Sequence, residues 1–126
     1  MVDKPEKQVR VLIVSLPGMM QNVLRETFMR RADVDLVGVA SGCFTAANMI
    51  QHSQPDLVVI DSNLPEDEAN QLIVHLKQEH LSVRSLVVVE TTQQLNSATS
   101  ERADISLLSY SLLDSLDSVL GNMNAN

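Results

Sequence analysis

Gln54-Pro55-Asp56-Leu57-Val58-Val59-Ile60-Asp61-Ser62-Asn63-Leu64-Pro65 is the stretch from which the rest of the chain can be read. Leu57–Ile60 is wholly apolar, and three of its four residues are β-branched. Such a run suits a strand buried on both faces of a parallel sheet. A carboxylate, Asp61, follows at once. Pro65 disfavours helical geometry at Leu64, so Ser62–Pro65 reads as a turn. Asp61 is therefore expected at the carboxyl end of a central strand.

Outward from this segment the pattern repeats. Val9–Val14 is apolar and broken only by Arg10, and Leu86–Val89 is continuously apolar. Leu36–Ala40, interrupted by Gly38, and the weaker Ile105–Leu108 complete five candidate strands. Helical spacing fills the gaps. Met19–Arg31 repeats apolar residues every three or four positions, and Phe44–His52 turns Ala46, Ala47 and Ile50 inward. Glu68–His80 gives a third helix and Thr91–Glu101 a polar fourth. Ser111–Leu120 gives a fifth with a broad apolar face. Alternating β and α elements imply a parallel sheet covered on both sides by right-handed crossovers. Five units in 126 residues match a flavodoxin-like, doubly wound (βα)5 three-layer sandwich of strand order 2-1-3-4-5.

Composition bounds the function. Apolar residues make up 44% and aromatics only 2%, so the core must be aliphatic. The net charge of −7 argues against direct nucleic-acid binding, which needs clustered Lys and Arg. No apolar run reaches the ~20 residues of a membrane span, and Met1–Gln8 lacks the apolar stretch of a signal peptide. Cys43 is alone, so no internal disulfide forms, and a cytoplasmic address is expected. Residues 1–8 read as a polar N-terminal segment, 9–120 as the domain and 121–126 as a polar, frayed tail.

In an open parallel sheet the site lies beyond the carboxyl ends of the strands, at the switch point. That gathers Asp61, Ser15-Leu16-Pro17-Gly18 and Val89-Glu90-Thr91. From these residues the chain resembles the receiver domains of two-component response regulators, CheY-like in fold. Gln54–Pro65 looks like their central motif and Arg10–Val14 like their first strand. Val37–Ala40 with Ala46-Ala47 looks like their second unit, and Ala103-Asp104 before Ile105–Leu108 like their fifth-strand approach. The resemblance covers about residues 9–120 and is closest to the subclass whose receivers precede a helix-turn-helix DNA-binding domain.

The resemblance implies that Asp61 stands at the phosphoacceptor position, where a carboxylate attacks phosphorus. It also implies supporting groups that this sequence lacks. The acidic pair that holds Mg²⁺ is replaced by Ser15 and Leu16. The hydroxyl position is Val89 and the lysine position Ser109. Thr91 would need a two-residue shift to serve, and Glu90 would repel a phosphoryl group. Phosphoryl transfer depends on positioning and electrostatic stabilisation, so these losses compound. Mg²⁺ binding is expected to be weak or absent. The expectation is a pseudo-receiver: a non-enzymatic, phosphorylation-independent module of bacterial signalling or transcriptional regulation, in which Asp61 bonds the surrounding loops. The alternative is a phosphoaccepting receiver served by a histidine kinase, with Glu90 or backbone carbonyls helping to hold metal. A nucleotide- or flavin-binding enzyme would want a glycine-rich phosphate loop, whereas Gly18, Gly38, Gly42 and Gly121 are isolated.

Other candidates read as structural. Glu66, Asp67 and Glu68 favour a helix start through its dipole. His52, His75 and His80 are too scattered for zinc, and Cys43 reads as a small packing residue. Met19 and Met20, with Leu112 and Leu116 on the last helix, are the candidate interaction surface. Self-pairing through the last helices is the partner expectation that the resemblance adds.

Overall fold

The computed structural model describes residues 8–124 apart from 98, 100 and 101. The apolar runs form the sheet: β1 (Val9–Val14), β2 (Val34–Ala40), β3 (Leu57–Asp61), β4 (Arg84–Val89) and β5 (Ile105–Leu108). All pairings are parallel and the order is β2-β1-β3-β4-β5, the flavodoxin-like order expected. Between them lie α1 (Met19–Met29), α2 (Cys43–Ser53), α3 (Glu66–Glu79) and α4 (Thr92–Leu95); a 3-10 turn at Ser109–Ser111 leads into α5 (Leu112–Asn124).

Alternation along the strands splits the core in two. Leu12, Val14, Val58, Ile60, Val87 and Val89 face α2 and α3, meeting Ala46, Ile50, Leu72, Ile73 and Leu76. Val11, Ile13, Leu57, Val59, Leu86 and Val88 face α1 and α5, meeting Leu24, Phe28, Leu112, Leu116 and Leu120. Each such side chain, fully buried, contributes about 1.5–3 kcal/mol relative to exposure. Gly38 lies within β2, where an added Cβ would crowd the Met49 methyl. The β1–β2 register also slips there, pairing Val11 with Leu36 but Leu12 with Gly38.

Several element ends differ from the sequence reading. α1 stops at Met29, and Arg31 instead pairs with Asp33 and Asp117. α3 starts at Glu66, directly after Pro65, with its three acids in the first turn. Of the polar fourth helix expected over Thr91–Glu101, Thr92–Leu95 is helical, opened by a Thr91–Gln94 capping box and followed by Asn96, while 98, 100 and 101 lie outside the described residues. The tail expected at 121–126 is corrected for its first four residues: α5 continues to Asn124, since Met123 follows Val119 and Leu120 onto the inner face, and 125 and 126 lie outside the described residues. Of the N-terminal segment only Gln8 lies within the described residues; its carboxamide donates to Ala32 O at 3.0 Å.

Candidate functional site at the carboxyl ends of the strands

The order β2-β1-β3 makes β1 and β3 neighbours whose chain connections leave on opposite sides, which opens a crevice beyond their carboxyl ends. Ser15 and Asp61 meet there. The ladder carries both past the strand ends: Ser15 N–H donates to Ala40 O at 2.9 Å, and Ser62 N–H donates to Val88 O at 3.0 Å. Asp61 is 2% exposed and Ser15 fully buried.

The Ser15 hydroxyl donates to Oδ2 of Asp61 at 2.9 Å. Asn63 N–H donates to Oδ1 at 3.0 Å, closing the turn in which Leu64 N–H also bonds Asp61 O at 3.2 Å. Both carboxylate oxygens thus accept from neutral donors of the protein. Gln21, in the first turn of α1, donates its carboxamide to Ser15 O at 2.7 Å and holds the β1–α1 loop from behind. Gly18 supplies the positive φ of 151° at which that loop enters α1.

The remaining positions are spread around this tie. Leu16 is 44% exposed and Met19 82% exposed, rimming the crevice. Val89, the last residue of β4, is buried against the α2–α3 layer. Ser109, half-buried, opens the 3-10 turn after β5. Glu90 is exposed. The Thr91 hydroxyl accepts from Gln94 N–H at 3.2 Å, so it belongs to the cap of α4.

Gln94 is a site residue that the sequence reading missed. Its Oε1 accepts from Glu90 N–H at 2.8 Å, from Thr91 N–H at 3.3 Å and from the Ser62 hydroxyl at 3.4 Å. One carboxamide therefore joins the loop after β4 to the loop after β3. The signal was Thr91-x-x-Gln94, a capping box. A cavity of about 110 Å³ beside it is lined by Ser62, Leu64, Glu66, Val87, Gln94 and Thr99.

A divalent cation in the crevice would find one carboxylate, already shared by two protein donors. Beside it stand a buried serine and a leucine that offers no side-chain oxygen. That set falls short of the clustered hard oxygens such ions take. Among the described residues no three His, Cys, Asp or Glu side chains converge as a metal site. His75 and His80 touch edge-to-face at 5.2 Å, while the His52 ring meets Asn48 O at 2.8 Å within its own helix. Cys43 is buried at the start of α2; burial first, then the nearby Glu68 carboxylate, pushes its thiol up to about 11.

The proposed interaction residues divide. Met19 is exposed, but Met20 packs against the α1–α5 side of the core. Leu112 and Leu116 are turned inward onto the sheet, a correction to their reading as surface. Their place is taken by Leu113, 71% exposed one position along the helix, and by Tyr110 before it. Among the described residues no helix is long and apolar enough to cross a membrane.

No protein-family model matches the chain. Over 98 residues, 78% of its length, it is 24% identical to a protein-glutamate methylesterase/protein-glutamine glutaminase of Syntrophus aciditrophicus, and spans 28% of that enzyme. It likewise spans about a quarter or less of the other curated relatives it matches first. In structure it is similar to the signal receiver domain of the response regulator NarL from Mycobacterium tuberculosis. There the TM-score is 0.77 at 19% identity, over 95% of this chain and 99% of that one. It is also similar to the response regulator domain of CheB from Thermotoga maritima, with a TM-score of 0.71 at 20% identity over 95% and 99% of the two chains. At these identities the likeness is one of fold.

Proposed function

We propose that this chain, which has the receiver fold of response regulators, works as a pseudo-receiver: a protein-interaction module whose state does not depend on phosphorylation. One observation carries the reading. Asp61 is almost wholly buried, and its two oxygens accept from Ser15 and Asn63. A nucleophilic carboxylate needs access to its phosphodonor, a metal to gather the phosphate oxygens and a cation for the developing charge. Here Ser15, Leu16, Val89 and Ser109 occupy the positions where the resemblance leads one to seek those groups. Asp61 instead ties the β1–α1 and β3–α3 loops together.

The module's contacts fall most naturally on the α1–α5 layer. Of eight large apolar side chains exposed among the described residues, six lie on it or on the loops entering it: Leu16, Met19, Val23, Met29, Tyr110 and Leu113. The same layer carries Arg25 on α1, Arg30 just after it, and Asp114 and Asp117 on α5, all exposed. A patch with both signs of charge around apolar side chains is self-complementary under a two-fold axis. We therefore assign self-pairing to this face, in a bacterial signalling or transcriptional regulator and in the cytoplasm, where the lone Cys43 stays a thiol. The methylesterase activity named for the curated relatives is not carried over to this chain, which we read as non-enzymatic.

The test is a backbone amide NMR titration with Mg²⁺ and then beryllofluoride, a phosphoryl mimic, on wild type and Asp61→Asn. Spectra that stay nearly unchanged at millimolar concentrations support the pseudo-receiver. Shifts that spread from Asp61 to β4 and β5 and vanish in Asp61→Asn would establish the competing reading, a phosphoacceptor served by a histidine kinase.

A further inference from the structure

The layer opposite α1 and α5 carries an apolar feature that neither the core nor Asp61 uses. Phe44, at the second position of α2, is 89% exposed. With Ala47, Glu68, Gln71, Leu72 and His75 it lines a groove between α2 and α3. Aromatic side chains in an aliphatic protein of this composition are scarce: there are two Phe and one Tyr. The other Phe, Phe28, is completely buried. Exposing Phe44 leaves most of its apolar area in water, a cost with no return inside the chain. α2 is also free of formal charge: Cys43–Ser53 contains no Asp, Glu, Lys or Arg. Depletion of charge around an exposed aromatic is the composition of an interface centre.

The charge that does border the groove is of one sign. Glu68 lines it, and Glu66 and Asp67 precede Glu68 in the same first turn of α3. The cation of α3, Lys77, is not among the groove's lining residues. A second copy of this chain fits poorly. Groove against groove would oppose Glu68 to Glu68, and the exposed Arg25 and Arg30 lie on the other side of the sheet. A copy using them would build an open-ended array, not a closed pair.

We infer that the α2–α3 groove is a docking site for a cationic amphipathic helix of another protein, with apolar side chains on Phe44 and Ala47 and a Lys or Arg on Glu68. The inference rests on the reading of the chain as an interaction module. It uses a surface separate from the self-pairing face, in the helix-in-groove mode.

The test titrates a synthetic amphipathic helix of leucine and lysine into isotope-labelled chain at physiological salt, with its leucine–glutamate counterpart as control. The lysine peptide is expected to shift amides of α2 and the first half of α3, and the glutamate peptide to leave them unchanged. Phe44→Ser should weaken binding about tenfold, as loss of an anchoring aromatic does. Glu68→Gln should weaken it less, and Leu81→Ser, exposed in the α3–β4 loop away from both surfaces, not at all. Phe44 is exposed, so a thermal melt of Phe44→Ser matching wild type keeps the comparison clean. Absence of binding overturns the proposal. So do shifts scattered over the whole acidic surface and indifferent to Phe44→Ser, or equal binding of the glutamate peptide. The beryllofluoride experiment is independent: a phosphoacceptor with a functional groove, or a pseudo-receiver without one, would be told apart.

Discussion

The Ser15 hydroxyl lies 2.9 Å from Oδ2 of Asp61, between residues 46 positions apart in the chain. A receiver that transfers phosphate keeps its acceptor carboxylate reachable and surrounds it with cation ligands. Here the nearest side-chain donor is a neutral serine that is itself buried. The bond joins the end of β1 to the end of β3.

That joint has a measurable stability. Ser15→Ala removes the donor and leaves Oδ2 buried without it, which should cost about 1–3 kcal/mol. Asp61→Ala should cost at least as much, because it also releases Asn63 N–H. The double variant should fall short of the sum by about 0.5–3 kcal/mol, the signature of two groups in direct contact. Denaturant unfolding of the four proteins measures this, and strict additivity would show that the bond contributes nothing.

How much of this was legible in the sequence differs by element. β1, β3 and β4 appear as apolar runs because both faces of a central parallel strand are buried, while β5, a half-buried edge strand broken by Ser106, reads more weakly. Helix ends were less readable. α5 passes through Gly121 because Met123 still has core to cover, which no local signal announces. The start of α4 is set by one capping box, Thr91 with Gln94, which polar composition hid. Leu112 and Leu113 are adjacent leucines, and only the phase of the helix on the sheet decides that the first is buried and the second exposed. Asp61's position was readable; its partner Ser15 was visible as a missing acid, not as a hydrogen-bond donor.

Arg31 anchors the end of α1 to both β2 and α5. It forms a two-pronged pair with Asp33, both contacts at 3.0 Å, and a 2.8 Å contact with Asp117. The Arg31 hydrogen bonds hold the Asp33 carboxyl below its ordinary 3.8. A lowered carboxyl stabilises the fold at pH above its unfolded value, and that contribution disappears as pH falls below about 4. Arg31→Gln should therefore lose about 1 kcal/mol near neutrality and show a shallower acid limb than wild type. Thermal melts from pH 7 down to acid check it; parallel acid limbs would dismiss the pair.

Cys43 should be a slow thiol. With its pKa pushed up to about 11, almost none of it is thiolate at pH 8, and the thiolate is the reactive form. An aromatic disulfide reagent should label it promptly only in denaturant. The raised value also favours the folded state below about pH 9, and that stability is lost as pH climbs towards 11. Rapid labelling of native protein at pH 8 would contradict the buried placement.

Self-pairing through α1 and α5 should depend on Leu113. Leu113→Glu puts a charge at the centre of the exposed apolar patch and should shift sedimentation to the monomer, with no loss of melting temperature beyond that due to dissociation. Arg30→Glu should weaken pairing, and Arg30→Glu with Asp114→Lys should recover part of it if the two face each other across a two-fold axis. A wild-type chain that sediments as a monomer at all accessible concentrations removes this face from consideration.

The crevice can also be interrogated by putting an acid back. Ser15→Asp replaces a donor to Asp61 with a second carboxylate, so the hydrogen bond becomes a like-charge contact in a buried place. Without metal this variant should be less stable than Ser15→Ala. The same change supplies the clustered oxygens that Mg²⁺ requires. Added Mg²⁺ should then raise its melting temperature by mass action, with about 1.4 kcal/mol gained at tenfold excess over the dissociation constant. Wild type, whose Oδ2 faces a hydroxyl, should melt at the same temperature with or without the ion. A Mg²⁺-dependent rise in wild type would mean that Asp61 with Glu90 or backbone oxygens already suffices, and the phosphoacceptor reading would gain the ground. A variant that Mg²⁺ fails to rescue would place the defect in Leu16 and the buried geometry as well as in the missing acid.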